Sequence, residues 1–332
     1  MEFLLIDWLG KPLWMWLAFL AIVIALLALD LGVLHRKQRE IEARESLLMS
    51  AFYIALGLGF GGWIWWYMGP TAGMNYVTGF AIEKSLAMDN VFVIAMIFTY
   101  FAVPREYQHR VLFWGILGVI VLRAIMIAAG AAIVTQFGWM LYIFAAFLIV
   151  TGIKMWLFAD REYDVGSSPV LRWARRHLNV TDRFHGNRFW VRQPLPEGGP
   201  PRWFMTPLFL SLAMVEVVDM VFAVDSVPAI FAITTDPFIV YTSNIFAVLG
   251  LRALYFALAA MVHRFHYLKY ALAVLLIFIG SKIFVADALG IAKIPPPVSL
   301  SVTFAILAAG IFYSLWKTGG RPEANWPAGP AG

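Results

Sequence analysis

Ala213-Met-Val-Glu216-Val-Val-Asp219-Met-Val-Phe-Ala-Val-Asp225-Ser226-Val-Pro228-Ala-Ile-Phe231 decides how this chain is built. It lies inside an apolar run, 204–233, long enough to cross a bilayer at about 1.5 Å per helical residue, yet it holds three carboxylates. Each opposes insertion by roughly 2.5–3.5 kcal/mol near the midplane unless something pairs with it. Glu216, Asp219, Ala223 and Ser226 follow at i, i+3, i+7 and i+10 and share one helical stripe, whereas Asp225 points to the opposite side of an unbroken helix. Pro228 removes the hydrogen bond to the Val224 carbonyl and disfavours a helical Val227, so a kink or an unwound turn is expected over 224–228. Such a break turns Asp225 inward and frees a carbonyl, as in the broken helices that form cation sites in transporters.

Around this stretch the chain is 332 residues long, 61% hydrophobic and only 14% charged. Its apolar residues gather in runs of twenty or more, which predicts an all-α polytopic membrane protein. About nine spans are expected, at 12–34, 46–68, 73–102, 110–134, 138–158, 204–233, 238–262, 268–289 and 298–317. Between the fifth and sixth, residues 159–204 hold eight arginines and read as a basic cytoplasmic loop with a short amphipathic helix near 169–178. The Gly-, Pro- and Ala-rich tail from 318 reads as disordered. Trp8, Trp14 and Trp16 at one end of the first span, and Trp63, Trp65, Trp66 and Tyr67 ending the second, mark interfacial belts. Gly57, Gly61 and Gly62 suit close helix packing.

Eighteen lysines and arginines fall in the loops on one side, against Lys11 and Lys293 on the other. The positive-inside rule then puts the N-terminus outside and the C-terminus inside. No cleavable signal peptide is expected from the first apolar run. The net charge of +5 sits in these loops, so nucleic acid is not an expected partner. The absence of cysteine excludes thiolate chemistry, disulfides and Cys-ligated zinc. With no phosphate-cradling loop and no nucleophile, base and acid set, the chain does not read as an enzyme or as an ATP-driven pump.

Three short matches recur at an offset near 129: Asp89-Asn-Val-Phe92 with Asp219-Met-Val-Phe222, Leu122-Arg123-Ala124 with Leu251-Arg252-Ala253, and Gly152-Ile-Lys154 with Gly280-Ser-Lys282. The third span runs outside to inside and the sixth inside to outside, so the spacing predicts a 3+3 inverted repeat with a site between its halves. The expected divisions are an N-terminal pair of spans (1–72), a first repeat (73–158), the basic loop (159–204), a second repeat (205–290), a final span (291–317) and the tail (318–332).

Glu83, Asp89, Glu216, Asp219 and Asp225, with Asn90, Ser85 and Ser226 beside them, make an oxygen-only ligand set suited to a hard divalent cation such as Mn²⁺, Mg²⁺ or Ca²⁺. A thioether from Met88, Met214 or Met220 would tilt selectivity towards a transition metal, although methionine in a span is more often packing. The five bases within spans, Lys84, Arg123, Lys154, Arg252 and Lys282, match the five acids in number. Two readings therefore compete: a cation site, with the bases as counter-charges or gates, and a purely structural ion-pair network. The concentration of acids on two repeat-related spans, with four of the bases elsewhere, favours the first. His263 and His266 flank a basic loop and read as interfacial or pH-responsive.

Glu83-Lys-Ser-Leu-Ala-Met-Asp-Asn90-Val-Phe and Glu216-Val-Val-Asp-Met-Val-Phe-Ala-Val-Asp-Ser226-Val-Pro-Ala closely resemble the signature segments of the TerC family of bacterial membrane proteins, including its Alx branch, over about residues 10–317. The resemblance implies a manganese exporter of the cytoplasmic membrane, related to the LysE superfamily and associated with tellurium resistance, with Mn²⁺ as cargo and no permanently bound cofactor. On the same basis Glu83, Asp89, Glu216, Asp219 and Asp225 are the implicated acids, with Asn90 and Ser226 beside them. Proton exchange follows from chemistry, since a carboxylate must lose its proton to bind metal. The alternatives are an accessory role in membrane-protein insertion or in metal loading of secreted enzymes, and a Ca²⁺ carrier.

Overall fold

The computed structural model describes residues 6–32, 43–158, 165–166, 168–194, 201–258, 267–291 and 293–318, without the side chains of residues 30–32, 43, 89 and 258. His263, His266 and the tail beyond 318 lie outside the described residues, as does the side chain of Asp89.

A short hairpin of β1 (Asp7–Trp8) and β2 (Lys11–Pro12) leads into α1 (Leu13–Gly32), α2 (Ala43–Met68), α3 (Pro70–Tyr100), α4 (Arg105–Gln136) and α5 (Met140–Leu157). A polar layer follows: α6 (Pro169–His177), then the antiparallel pair β3 (Trp190–Gln193) and β4 (Arg202–Met205). Next come α7 (Pro207–Phe231), α8 (Pro237–Leu249), α9 (Leu251–Leu258), α10 (Leu268–Ala288) and α11 (Pro296–Thr318). Seven of the described helices are long and apolar enough to cross a membrane, with α8 and α9 counted together as one. The apolar part of α1 is shorter, Leu13–Leu29, and α3, at 31 residues, carries Glu83, Lys84 and Asp89 in its middle. The chain is a polytopic helical membrane protein. The stretch expected to be a loop with one helix also forms the β3–β4 hairpin.

Local sequence sets the helix starts. Thr206 caps α7 by accepting from the Phe209 N–H, and Asp236 caps α8 by accepting from Phe238 and Ile239. Each cap is followed by a proline whose missing N–H costs nothing at the first helical position. Asp236 is also paired with Lys11 at 2.9 Å, tying the N-terminal hairpin to the start of α8.

The break expected in the sixth span is not found there. α7 remains helical through Pro228 to Phe231. Pro228 falls in the last turn, where it removes one hydrogen bond with little helix left to redirect. The interrupted span is the seventh instead, where α8 stops at Leu249 and α9 restarts at Leu251 around Gly250. The freed carbonyl there is that of Ala247, which accepts from the Lys84 ammonium at 3.1 Å. A Cβ at Gly250 would stand 2.7 Å from that nitrogen and 3.0 Å from the Tyr53 Cβ, so a larger residue there would push the ammonium aside. The ammonium thus sits at the negative end of the α8 dipole.

The central helices pack in a reciprocal pattern: α3 against α8, α4 against α7, α3 against α7, and α5 against α10. Exchanging α3 with α7, α4 with α8 and α5 with α10 leaves that list unchanged, which is what a two-fold axis would produce. The closest seam repeats this in atomic detail. A Cβ at Gly152 would meet the Ala273 carbonyl at 2.7 Å and Ile277, while one at Gly280 would meet the Ala145 carbonyl at 2.5 Å and Ile149. These are the same contacts shifted by 128 residues. Gly152→Ala and Gly280→Ala are each expected to cost about 1–3 kcal/mol by overpacking, and by similar amounts. Thermal melts of the purified protein check this; a large cost at one glycine and none at the other would contradict the equivalence of the two contacts.

The N-terminal pair covers one flank, with α2 lying on α3, α8 and α9. Gly57 and Gly61 let Phe80 and Tyr76 of α3 approach, whereas Gly62 faces open space. The aromatic ends of the first two spans meet each other: Trp14 stands edge-on to Trp63 and Tyr67, which are themselves stacked.

Candidate functional site

Arg123 of α4 lies at the centre of the bundle with 1% of its surface exposed. A buried guanidinium needs every donor matched, and its partners come from three further helices. Nη1 is bonded and ion-paired to Glu83 Oε1 of α3. Nε and Nη2 reach the two carboxylate oxygens of Asp219 on α7, at 3.3 and 3.1 Å. Nη1 also donates to Asn244 Oδ1 on α8 at 3.0 Å and to Ser226 Oγ at 3.4 Å. Asn90, two turns further along α3 than Glu83, donates to Asp219 Oδ1 at 3.4 Å. The stripe of Asp219, Ala223 and Ser226 read from the spacing is therefore real, and it faces α3 and α4.

Several acceptors in and beside this cluster have no donor. Among the described residues, Glu83 Oε2, Asn90 Oδ1 and Glu216 Oε2 are buried oxygens without a hydrogen-bond partner, and Asn244 Nδ2 is a donor in the same position. Orphaned buried polar atoms are rare, and three orphaned oxygens point to a positive guest. A small cavity of about 10 Å³ lies against Asn90, Asp219 and Arg252 between α3, α4 and α7. It has room for about one water.

The remaining expected residues are distributed more widely. Glu216 is half-buried one turn before Asp219 and lies against α4, where Gly115 and Gly118 make way for it; a Cβ at Gly118 would overlap its carboxylate. Gly118→Ala is expected to expel Glu216 and to cost about 1–3 kcal/mol. Gly59→Ala, with nothing near its would-be Cβ, is expected to be neutral or slightly stabilising; thermal melts compare them. Asp225 does not join the cluster. Because α7 stays helical, its side chain faces α5, in the neighbourhood of Thr151 and Lys154.

Among the described side chains, Arg123 is the expected counter-charge that bonds Glu83 and Asp219, and Lys154 lies near Asp225. Lys84 caps α8, Arg252 bonds His109 Nε2 at 2.7 Å, and Lys282 donates to Ser299 at 3.4 Å. Ser85 bonds its own helix at Ala81. Met214 is buried among apolar residues and accepts from Ser168, and Met220 faces outward, so neither thioether reaches the cluster. Met88 packs on apolar neighbours. Asn244 was missed; its sequence signal is the polar run Thr242-Ser243-Asn244 inside an apolar span. Thr242 and Ser243 bond back to carbonyls of their own helix, and only Asn244 projects into the cluster.

The five-carboxylate set is therefore not gathered in one place. Among the described residues no three Asp, Glu or His side chains converge as a metal cage, because Arg123 stands between Glu83 and Asp219. Chemically, the guanidinium occupies the seat of a cation: every hydrogen-bond partner it has among the described residues is oxygen, from two carboxylates, an amide and a hydroxyl.

A helical bundle crossing the membrane many times, with a buried charge cluster between paired helices, defines a polytopic integral membrane protein. A family profile described as "Integral membrane protein TerC family" matches residues 68–321, and the chain belongs to that family. An uncharacterized membrane protein of Myxococcus xanthus is 48% identical over 95% of this chain and 96% of its own. A Rickettsia bellii membrane protein, also uncharacterized, is 47% identical over 90% of this chain and 96% of its own. A Salmonella typhi protein called "Putative membrane-bound redox modulator Alx" is 46% identical over 92% of this chain and 95% of its own. No solved structure matches the chain.

Proposed function

We propose that this protein is a secondary transporter that exports Mn²⁺ across the bacterial cytoplasmic membrane by alternating access, with protons as the exchanged ion. One observation carries the reading: acids of α3 and α7 converge on a single buried positive group whose partners are all oxygen. If Arg123 withdraws, Glu83 and Asp219 balance the charge of one divalent ion. Asn244 Oδ1, Ser226 Oγ and the orphaned Asn90 Oδ1 extend the shell towards the six or so oxygens such ions take. In this conformation Arg123 is the internal substitute for cargo. It keeps the acids neutralised while the site is inaccessible, and cargo must displace it. Protons enter by the same competition: lowering the pH protonates the carboxylates and weakens metal binding.

The oxygen set would also serve Ca²⁺, and the choice of Mn²⁺ rests on the family resemblance. With no cysteine in the chain, a redox role such as the Salmonella typhi relative's name states would run through something carried rather than through its own thiols. The competing reading, a permanent structural pin, draws on how fully Arg123 is matched.

Purified protein in liposomes loaded with a Mn²⁺-quenched dye separates these readings. Protein-dependent Mn²⁺ flux that falls as the pH on the binding side is lowered supports transport, and excess Ca²⁺ reports on selectivity. No flux from protein that is folded and stable would leave the pin, or an accessory role in insertion or metalation.

A further inference from the structure

The layer formed by α6, β3 and β4 carries an unusual surface. The stretch 159–206 holds eight arginines against five acids, and α6, the hairpin and the segment between them carry seven of those arginines, at 172, 175, 176, 183, 188, 192 and 202, with Asp182 as the one acid among the described residues. None of the seven forms an ion pair among the described residues. Arg192 donates to the Pro201 carbonyl at 3.4 Å; an excess of guanidiniums without carboxylate partners among the described residues suits a negatively charged partner.

Two more observations say which partner. First, the layer is fixed at the end of the bundle. Leu171 and Ala174 of α6, with Phe189, are buried in one cluster with Phe98 and Phe101 of the α3 end, Val111 of the α4 start and Leu208 of the α7 start. The Thr206 hydroxyl donates to the Arg188 carbonyl, and Arg110 lies over the Phe189 ring at 5.1 Å. The outer face of α6 and the hairpin is thereby held beside the ends of α3, α4 and α7. Second, the arginines alternate with exposed tryptophans. Trp173 is 57% exposed, Trp190 47% and Trp203 67%. In the hairpin register Arg192 stands opposite Trp203 on the same face as Trp190, and Trp190 leans on Phe209 at the start of α7. Tryptophan facing water is costly, while at the membrane interface it is at home.

We propose that α6 and the β3–β4 hairpin form a binding surface for anionic phospholipid headgroups, with the guanidiniums gripping phosphate oxygens and the tryptophans seated at the acyl boundary. The surface is distinct from the buried acid cluster, and the inference stands whether or not that cluster carries metal. Each arginine near an anionic surface adds binding worth about a fivefold change in affinity.

The test uses the full chain in nanodiscs of phosphatidylcholine alone or with added phosphatidylglycerol. Native mass spectrometry counts retained lipid and thermal melts report stability. Phosphatidylglycerol is expected to be retained preferentially and to raise the melting temperature. R172Q/R175Q/R176Q is expected to lose most of that preference, with midpoints for phosphatidylglycerol raised about a hundredfold, while its melting temperature in phosphatidylcholine is unchanged. W173A/W203A keeps the charges and is expected to lose a smaller share. Equal retention of both lipids by the unaltered protein overturns the proposal. So does a preference that survives the triple substitution, or preferential capture of added single-stranded RNA over phosphatidylglycerol.

Discussion

Arg123→Met is expected to destabilise the protein by about 3–5 kcal/mol in divalent-free buffer, and Mn²⁺ is expected to recover much of the loss. The first part follows from burial. Glu83 and Asp219 are 1% and 5% exposed, and removing the cation between them strands two charges away from water. The second part separates the two readings of the cluster. If Arg123 substitutes for cargo, deleting it removes the competitor, and a divalent ion at a hundred times its dissociation constant returns about 2.7 kcal/mol. The unaltered protein gains less, because part of the binding energy goes into displacing the guanidinium. Melting curves of both proteins across a Mn²⁺ titration make the measurement. Equal, or no, stabilisation of the two would mean that the arginine is a pin and that its acids do not hold metal.

Asp219→Asn is expected to reduce Mn²⁺ flux in liposomes by a hundredfold or more, and Glu83→Gln by a similar factor, while Asp225→Asn changes it only a few-fold. Asp219 uses both oxygens and contacts α3 and α4 at once, so neutralising it removes half of the charge available to a divalent ion. Asparagine fills the same space, which keeps the comparison free of a cavity. Asp225 lies beside Thr151 on α5, outside the cluster, and its neutralisation disturbs a helix contact rather than a ligand. Abundance and melting temperature, measured alongside, keep lost flux distinct from lost fold. Should Asp225→Asn be as damaging as Asp219→Asn in stable protein, the cation path would have to run along the α5 side of α7.

Much of this was legible in the chain because the bilayer imposes simple rules. Twenty apolar residues must be helical, and a charge among them needs a partner. The acids at 83, 216 and 219 could therefore be singled out without coordinates, as could Arg123 as a counter-charge. The offset that aligns Gly152 with Gly280 was read as a repeat, and the structure adds that both glycines lie in the α5–α10 seam. One local expectation failed and one feature was missed, each for an identifiable reason. Pro228 signalled a break, yet a proline in a helix's final turn has little to break. Gly250 gave no comparable signal, since its effect depends on the Lys84 ammonium that fills the gap from another helix.

By itself the sequence determined the class of the protein, the helices, and which of them carry charge where charge is costly, because insertion into lipid depends on local composition. Only the tertiary structure decided which charges meet. Glu83, Arg123, Asp219 and Asn244 lie on four helices separated by up to 161 positions, and the rotation of each helix about its own axis is set by packing. That rotation places Asp219 on the arginine and turns Asp225, six residues later, away towards α5.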